Sequence, residues 1–201
     1  MAQIKFTKSE LRSQQLKLTQ LNRYLPTLQL KKAMLQTEVN AATLEVEELT
    51  ARYEEEKKEV EVFQSLLSSD LSADFLESLA VVDVVKDYES IAGVEIPHFK
   101  HVIFSDVSYS LFETPFWIDE AIMFLKALIS AKQKILVAKE KKRLLEQELR
   151  EVSIRVNLFE KIMIPRTLQN IKKIKVFLGD QQLAAISQAK VAKRKILEKI
   201  V

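Results

Sequence analysis

Apolar residues recur every three and four positions along the first third of the chain. Counted in heptads from Leu18, the a positions are Leu18, Leu25, Lys32, Val39, Val46, Tyr53, Val60 and Leu67. The d positions are Leu21, Leu28, Leu35, Ala42, Leu49, Glu56 and Phe63. Only Lys32 and Glu56 interrupt the two series. Ile4 and Leu11 extend the a series toward the start. A pattern sustained this long predicts a coiled-coil helix rather than an ordinary amphipathic one.

The second half repeats the pattern. Leu128, Ile135, Lys142, Leu149, Val156 and Met163 form one series, and Ala131, Ala138, Leu145, Val152 and Phe159 the other. Lys142 is the one break. Past Pro165 the seam changes phase, to Leu168, Ile171, Ile174 and Leu178, and a weaker series of Leu183, Ile186, Leu197 and Ile200 follows. A helix-interior proline costs about 3 kcal/mol, so Pro165 in so regular a helix asks for a cause.

Between the coils the texture differs. Residues 87–117 hold Gly93, Pro97 and Pro115 among β-branched and aromatic residues. "GVEI" and "KHVIFSDVSY" read as short strands of a hairpin. Asp119 and Glu120 mark the start of the next helix, with Trp117 as a packing anchor at the junction. The expected fold is mostly α: a long antiparallel two-helix coiled coil with a short β-hairpin-like insert. Its parts are an N-terminal coil helix over 1–80, an insert over 81–116 and a C-terminal coil helix over 117–201.

The two charged seam positions suggest a register. An unpaired charge in a seam is costly, so Glu56 is expected opposite Lys142. Facing residues then have numbers summing to 198, which sets Leu49 by Leu149, Ala42 by Val156, Val60 by Ala138 and Phe63 by Ile135. It also brings residue 1 level with residue 197, at a single tip.

Charge changes what that tip is. Residues 1–36 carry seven Lys/Arg against one acid, and residues 161–201 carry ten against two. Residues 37–120 carry five against twenty. The expected tip is therefore basic, with Lys5, Lys8, Arg12, Lys190, Lys193, Arg194, Lys195 and Lys199, and such asymmetry bears on partners rather than fold. A static tether or scaffold is the commoner use of a long coil, and a basic tip also suits nucleic acid. "KVAKRKILEKIV" lacks aromatics on which bases stack, which argues against nucleic acid.

Composition removes other classes. There are two glycines, four prolines and no cysteine in 201 residues. That leaves few turns, no disulfide, no thiolate metal site and no cysteine nucleophile. His98 and His101 are the only imidazoles, and no phosphate-binding glycine loop occurs. No catalytic, cofactor or metal residue is expected. No apolar run approaches the roughly 18 residues of a membrane span, so a cytoplasmic chain without direct membrane insertion is expected.

"RVNLFEKIMIPR" resembles the signature of the D subunits of the V-type and A-type ATPases, R-V-N-x-x-E followed by I-P-R. Arg155, Val156, Asn157, Glu160, Ile164, Pro165 and Arg166 fit it. "IAGVEIP", Ile91 to Pro97, resembles that family's G-V-x-x-P element. "LQLKKAML" keeps Lys31 and Lys32 but lacks the family's Arg-Asp pair, and Asp180 alone remains of an acid-rich run.

The resemblance implies a non-catalytic rotor shaft that couples ATP hydrolysis or synthesis to ion transport. It implies the A and B subunits of a catalytic head around the basic tip, and a small F subunit of the stalk and a membrane-ring adaptor as further partners. The chain would then be peripheral to the membrane through the complex. Gly93, Ile96, Pro97, Phe99, Phe104 and Phe112 are expected to dock the stalk partner. Pro165 and Pro26 are expected to bend both helices at one level.

Overall fold

The computed structural model describes residues 5–61, 79–105 and 117–200, the side chains of 59, 60 and 198–200 excepted. Helix α1 spans Lys8–Glu61, strand β1 Val81–Ile91, strand β2 Val94–Phe104 and helix α2 Ile118–Asn157. A π-helical turn, Leu158–Met163, leads into helix α3, Ile164–Ile200. The expected order of long helix, hairpin and long helix is therefore present. Ile4, Phe63 and Leu67 of the expected seam lie outside the described residues, as does the side chain of Val60.

Local chemistry sets the helix ends. The Thr7 hydroxyl accepts the Glu10 N–H at 3.2 Å, and its carbonyl accepts the Leu11 N–H at 3.0 Å. Thr7 and Glu10 have the spacing of a capping box. Pro26 lies inside α1 without ending it. At α2 the Trp117 carbonyl accepts the Ala121 N–H at 3.0 Å, and Asp119 and Glu120 complement the helix dipole. Trp117, Leu79 and Leu125 pack on buried Ile118 and Ile122, the anchor expected at this junction.

The chain forms two compact units, Met1–Lys32 with Glu151–Val201, and Ala33–Arg150. In the second unit the α1 seam buries Leu35, Val39 and Ala42, and the α2 seam buries Ile135, Ala138 and Leu145. In the first, Leu21 of α1 is buried, as are Val152 and Val156 of α2 and Ile171 and Ile174 of α3. Every described seam position from Leu18 to Tyr53 and from Leu128 to Met163 is buried or half-buried, Lys32 and Lys142 included.

The register differs from the expected one. Lys141 Nζ of α2 lies 2.9 Å from Glu45 Oε2 of α1. Facing residues in this unit therefore have numbers summing to about 186, not 198. The difference of twelve residues is about 18 Å of helix, beyond what two side chains bridge. It brings Ala42 level with Leu145 and Leu49 level with Ala138.

Glu56 and Lys142 do not meet, for a physical reason. Glu56 is exposed to solvent, so its charge needs no partner in the seam. Lys142 keeps its stem in the half-buried zone and extends its ammonium to within 3.8 Å of Glu146, one turn along the same helix. In the other unit the Phe6 and Phe177 rings lie 5.0 Å apart, giving a sum near 183.

The hairpin also departs from expectation. Val94, Glu95 and Ile96 of "GVEI" and most of the described part of "KHVIFSDVSY" belong to one strand, β2, and its partner is β1, "VVDVVKDYESI". Ala92 and Gly93 turn the chain with φ of 53° and 80°. Two consecutive positive φ values describe a type I′ turn, whose twist matches that of paired strands. Pro97 sits inside β2, which a two-stranded sheet tolerates because each strand has an open edge. Register shifts fall between Val81 and Asp83 and between Val85 and Lys86, so burial does not alternate strictly.

The Glu45–Lys141 contact predicts the energetics of the coil. A double-mutant cycle at these two positions, read by urea unfolding, should show a coupling of about 1 kcal/mol. The same cycle at Glu56 and Lys142 should show none.

Candidate functional site

The chain offers three candidate surfaces: the motif around Pro165, the basic residues of α1 and α3, and the hairpin. In the motif, Val156 is a buried seam residue, whereas Asn157, Glu160, Pro165 and Arg166 are exposed. Arg155 reaches Glu151 at 3.2 Å along its own helix. The Ile164 N–H donates to the Phe159 carbonyl, an i→i−5 bond that closes the π turn. In an α-helix the Pro165 ring would clash with the carbonyl of Lys161, four residues back. The wider turn immediately before it relieves that clash.

Past the turn the seam changes phase, but not as expected. Leu168 is 49% exposed, and Thr167, at 4%, takes the inward place. The Thr167 hydroxyl donates to the Met163 carbonyl at 2.7 Å, which satisfies a buried polar group. Ile171, Ile174 and Leu178 continue the seam.

The basic residues do not share one tip. Lys5, Lys8 and Arg12 are exposed beside the part of α3 that holds Phe177. Lys190, Lys193, Arg194 and Lys195 lie 13 to 18 residues further along α3, about 20–27 Å away. The side chain of Lys199 lies outside the described residues. Every residue from 181 to 197 is exposed. Leu183, Ile186, Val191, Ile196 and Leu197 are therefore open to solvent, next to those four cations and with no acid in the stretch. The heptad pattern gave no sign that this segment would be exposed, because its apolar spacing resembles that of the buried seam.

The expected docking residues of the hairpin divide. Ile96 is 0% exposed and Pro97 is fully buried, so both belong to the core rather than to a free surface. Phe99 and Phe104 are half-buried, Gly93 is in the exposed turn, and Phe112 lies outside the described residues. Phe104 receives Lys126 of α2 over its ring at 5.4 Å. The outward apolar residues are instead Val82 at 67%, Tyr88 at 64% and Ile103 at 43%. Val82 stands at a register shift of β1, which turns it outward.

Electrostatics tie the hairpin to α2. Lys86 Nζ of β1 lies 2.7 Å from Glu140 Oε2. This hydrogen bond, helped by the charge attraction of Glu140 and of Tyr88 and opposed by partial burial, holds the Lys86 ammonium above the ordinary lysine value. Across the strands Lys100 lies 3.1 Å from Asp87. Its hydrogen bond and charge, with the Tyr88 N–H, hold Asp87 below the usual carboxylate range. Among the described residues no group of three or more His, Cys, Asp or Glu could hold a metal ion. No described helix is long and apolar enough to cross a membrane.

Comparison with known proteins places these surfaces in context. The family profile for the ATP synthase D subunit matches residues 10–194. The D subunit of the V-type ATP synthase of Chlamydia abortus is 43% identical over 199 residues, 98% of this chain and 96% of that protein. That of Chlamydia muridarum is 46% identical over 196 residues, 97% of each chain.

Two expectations separate core from surface in the hairpin. Ile96→Ala should destabilise the fold by about 2–5 kcal/mol. Tyr88→Ser should change stability by less than about 0.5 kcal/mol, both read by thermal unfolding. The Lys86 contact should also be visible as a pH dependence. A raised ammonium contributes stability fully below the unfolded value near 10.5 and loses it as pH rises through the folded value. Wild type should therefore lose stability above that pH more steeply than Lys86→Met.

Proposed function

The chain belongs to the ATP synthase D-subunit family, and from that premise we infer that it is the central rotor shaft of a V/A-type ATPase. It is a non-catalytic stalk subunit, and its task is mechanical. Rotation of the shaft couples ATP hydrolysis or synthesis in a head of A and B subunits to ion transport through a membrane ring. Its location is cytoplasmic, held at the membrane through the complex.

The observation that carries this reading is the exposed end of α3. A helix that leaves Leu183, Ile186, Val191, Ile196 and Leu197 uncovered beside four cations is built to be enclosed by something else. A head with an acidic, partly apolar bore suits it. Exposed charge pairs are each worth only about 0–1 kcal/mol, so a bearing made of them holds the shaft without locking it. Lys5, Lys8 and Arg12 supply a second basic level on α1. The hairpin, through Val82, Tyr88 and Ile103, is the surface for the F subunit or the ring adaptor.

Truncation after Asp180 tests the reading. Because residues 181–197 are exposed, the shortened chain should keep its helical circular dichroism and unfold within a few degrees of wild type. Reconstituted with the head and stalk, it should lose at least tenfold of the ATPase activity that depends on this chain. Charge reversal of Lys190, Lys193, Arg194 and Lys195 should weaken assembly most at low salt. Unchanged coupling in the truncated chain would contradict the shaft reading.

A further inference from the structure

The π turn and the seam carry the same surplus. An i→i−5 turn inside an α-helix accommodates one residue more than the α turn it replaces. Upstream, Leu145, Leu149, Val152, Val156, Phe159 and Met163 follow steps of four and three residues. Downstream, Ile171, Ile174 and Leu178 follow three and four again. Between them, Met163 to Thr167 to Ile171 takes two steps of four where an unbroken heptad has one four and one three. The coil therefore has one residue too many at this point, and the Leu158–Met163 turn lies beside it.

The seam limits where that residue can sit. Moved upstream of Val156, it would put Asn157 and Glu160 inward in place of Val156 and Phe159. Moved past Ile171, it would put Arg166 and Asn170 inward in place of Thr167 and Ile171. Burying those charged and amide groups without partners is costly. The permitted window runs from about Phe159 to Thr167, and within it the apolar pattern does not choose.

The backbone does choose. A π bulge moves along a helix when one N–H exchanges the carbonyl four residues back for the one five back. The last such bond here is Ile164 to Phe159. The next residue is Pro165, which has no N–H to exchange. We propose that Pro165 is a stop that pins the coil's surplus residue in the Leu158–Met163 turn. While the surplus residue stays within that window, α3 past Ile171 keeps one rotational angle; losing it altogether would turn the outward face by about 100°. On this assignment Pro165 is a positioning residue, and the surplus residue rather than the proline is the cause of the turn.

Two variants of the full-length chain test this by site-resolved amide exchange. Each also carries Phe6→Cys and Phe177→Cys, bridged by a short bismaleimide; the wild chain has no other thiol. Pro165→Ala keeps the surplus residue but removes the stop. Its amides from 164 to 168 should exchange at least about tenfold faster than in the parent, and the 6–177 cross-link should still form. Deleting Pro165 removes the surplus and restores the alternating steps. Its amides from 158 to 163 should exchange at least about tenfold more slowly, again with the cross-link retained. Three results overturn the proposal. If Pro165→Ala gives uniform protection and loses the cross-link, the proline alone makes the turn. If its exchange pattern matches the parent's, the proline pins nothing. Fast exchange persisting at 158–163 after deletion of Pro165 would likewise show that no surplus residue is held there.

Discussion

The apolar seam is the constraint on which everything else in this chain depends. With two glycines in 201 residues the backbone cannot fold into many short elements, so burial must come from long helices lying side by side. Among the largest fully buried side chains are Leu35, Leu145, Val152 and Ile174, all on the seam. Each fully buried leucine or isoleucine contributes about 1.5–3 kcal/mol. The remaining fully buried large residues, Ile96 and Pro97, belong to the hairpin. The hairpin is held to α2 by Lys86 on Glu140 and by Lys126 over Phe104. A two-stranded hairpin alone is marginal in water, and the helix supplies the face it lacks.

The seam does the packing of helix on helix, and the hairpin covers part of another face of α2. α3, by contrast, leaves its own seam uncovered from residue 181 to 197. Four cations accompany that stripe, and exposed charge pairs of their kind are each worth only about 0–1 kcal/mol. The role inferred for the chain rests on this division between a buried seam and an exposed helix end.

The helices, the hairpin and the anchor at Trp117 were legible in the sequence because periodicity reports directly on which side of an element is buried. Register was not. Glu56 and Lys142 look like a buried pair in a heptad diagram, yet one is solvated and the other reaches a turn along its own helix. Lys141 and Glu45, outside the a and d positions, make the contact that reports the register. The strand β1 was hidden because Val81, Val82, Val84 and Val85 extend an apolar run beyond the coil. Ile96 and Pro97 are consecutive residues that are both buried, which a strict strand alternation would not mark as core. The phase change near Pro165 was visible, but Thr167 rather than Leu168 turns inward, and a hydroxyl bonded to its own helix has no apolar signature.

The inferred role requires this chain to turn within its complex. The absence of cysteine allows a single thiol, Ser90→Cys on the exposed hairpin, to carry a bead or fluorophore without competing labels. In a complex reconstituted with A, B and F subunits and fixed by its head, single-molecule observation of that probe should show ATP-dependent rotation in one direction, in steps that divide the circle by the number of catalytic sites. A probe that stays still while the same complexes hydrolyse ATP would contradict the account.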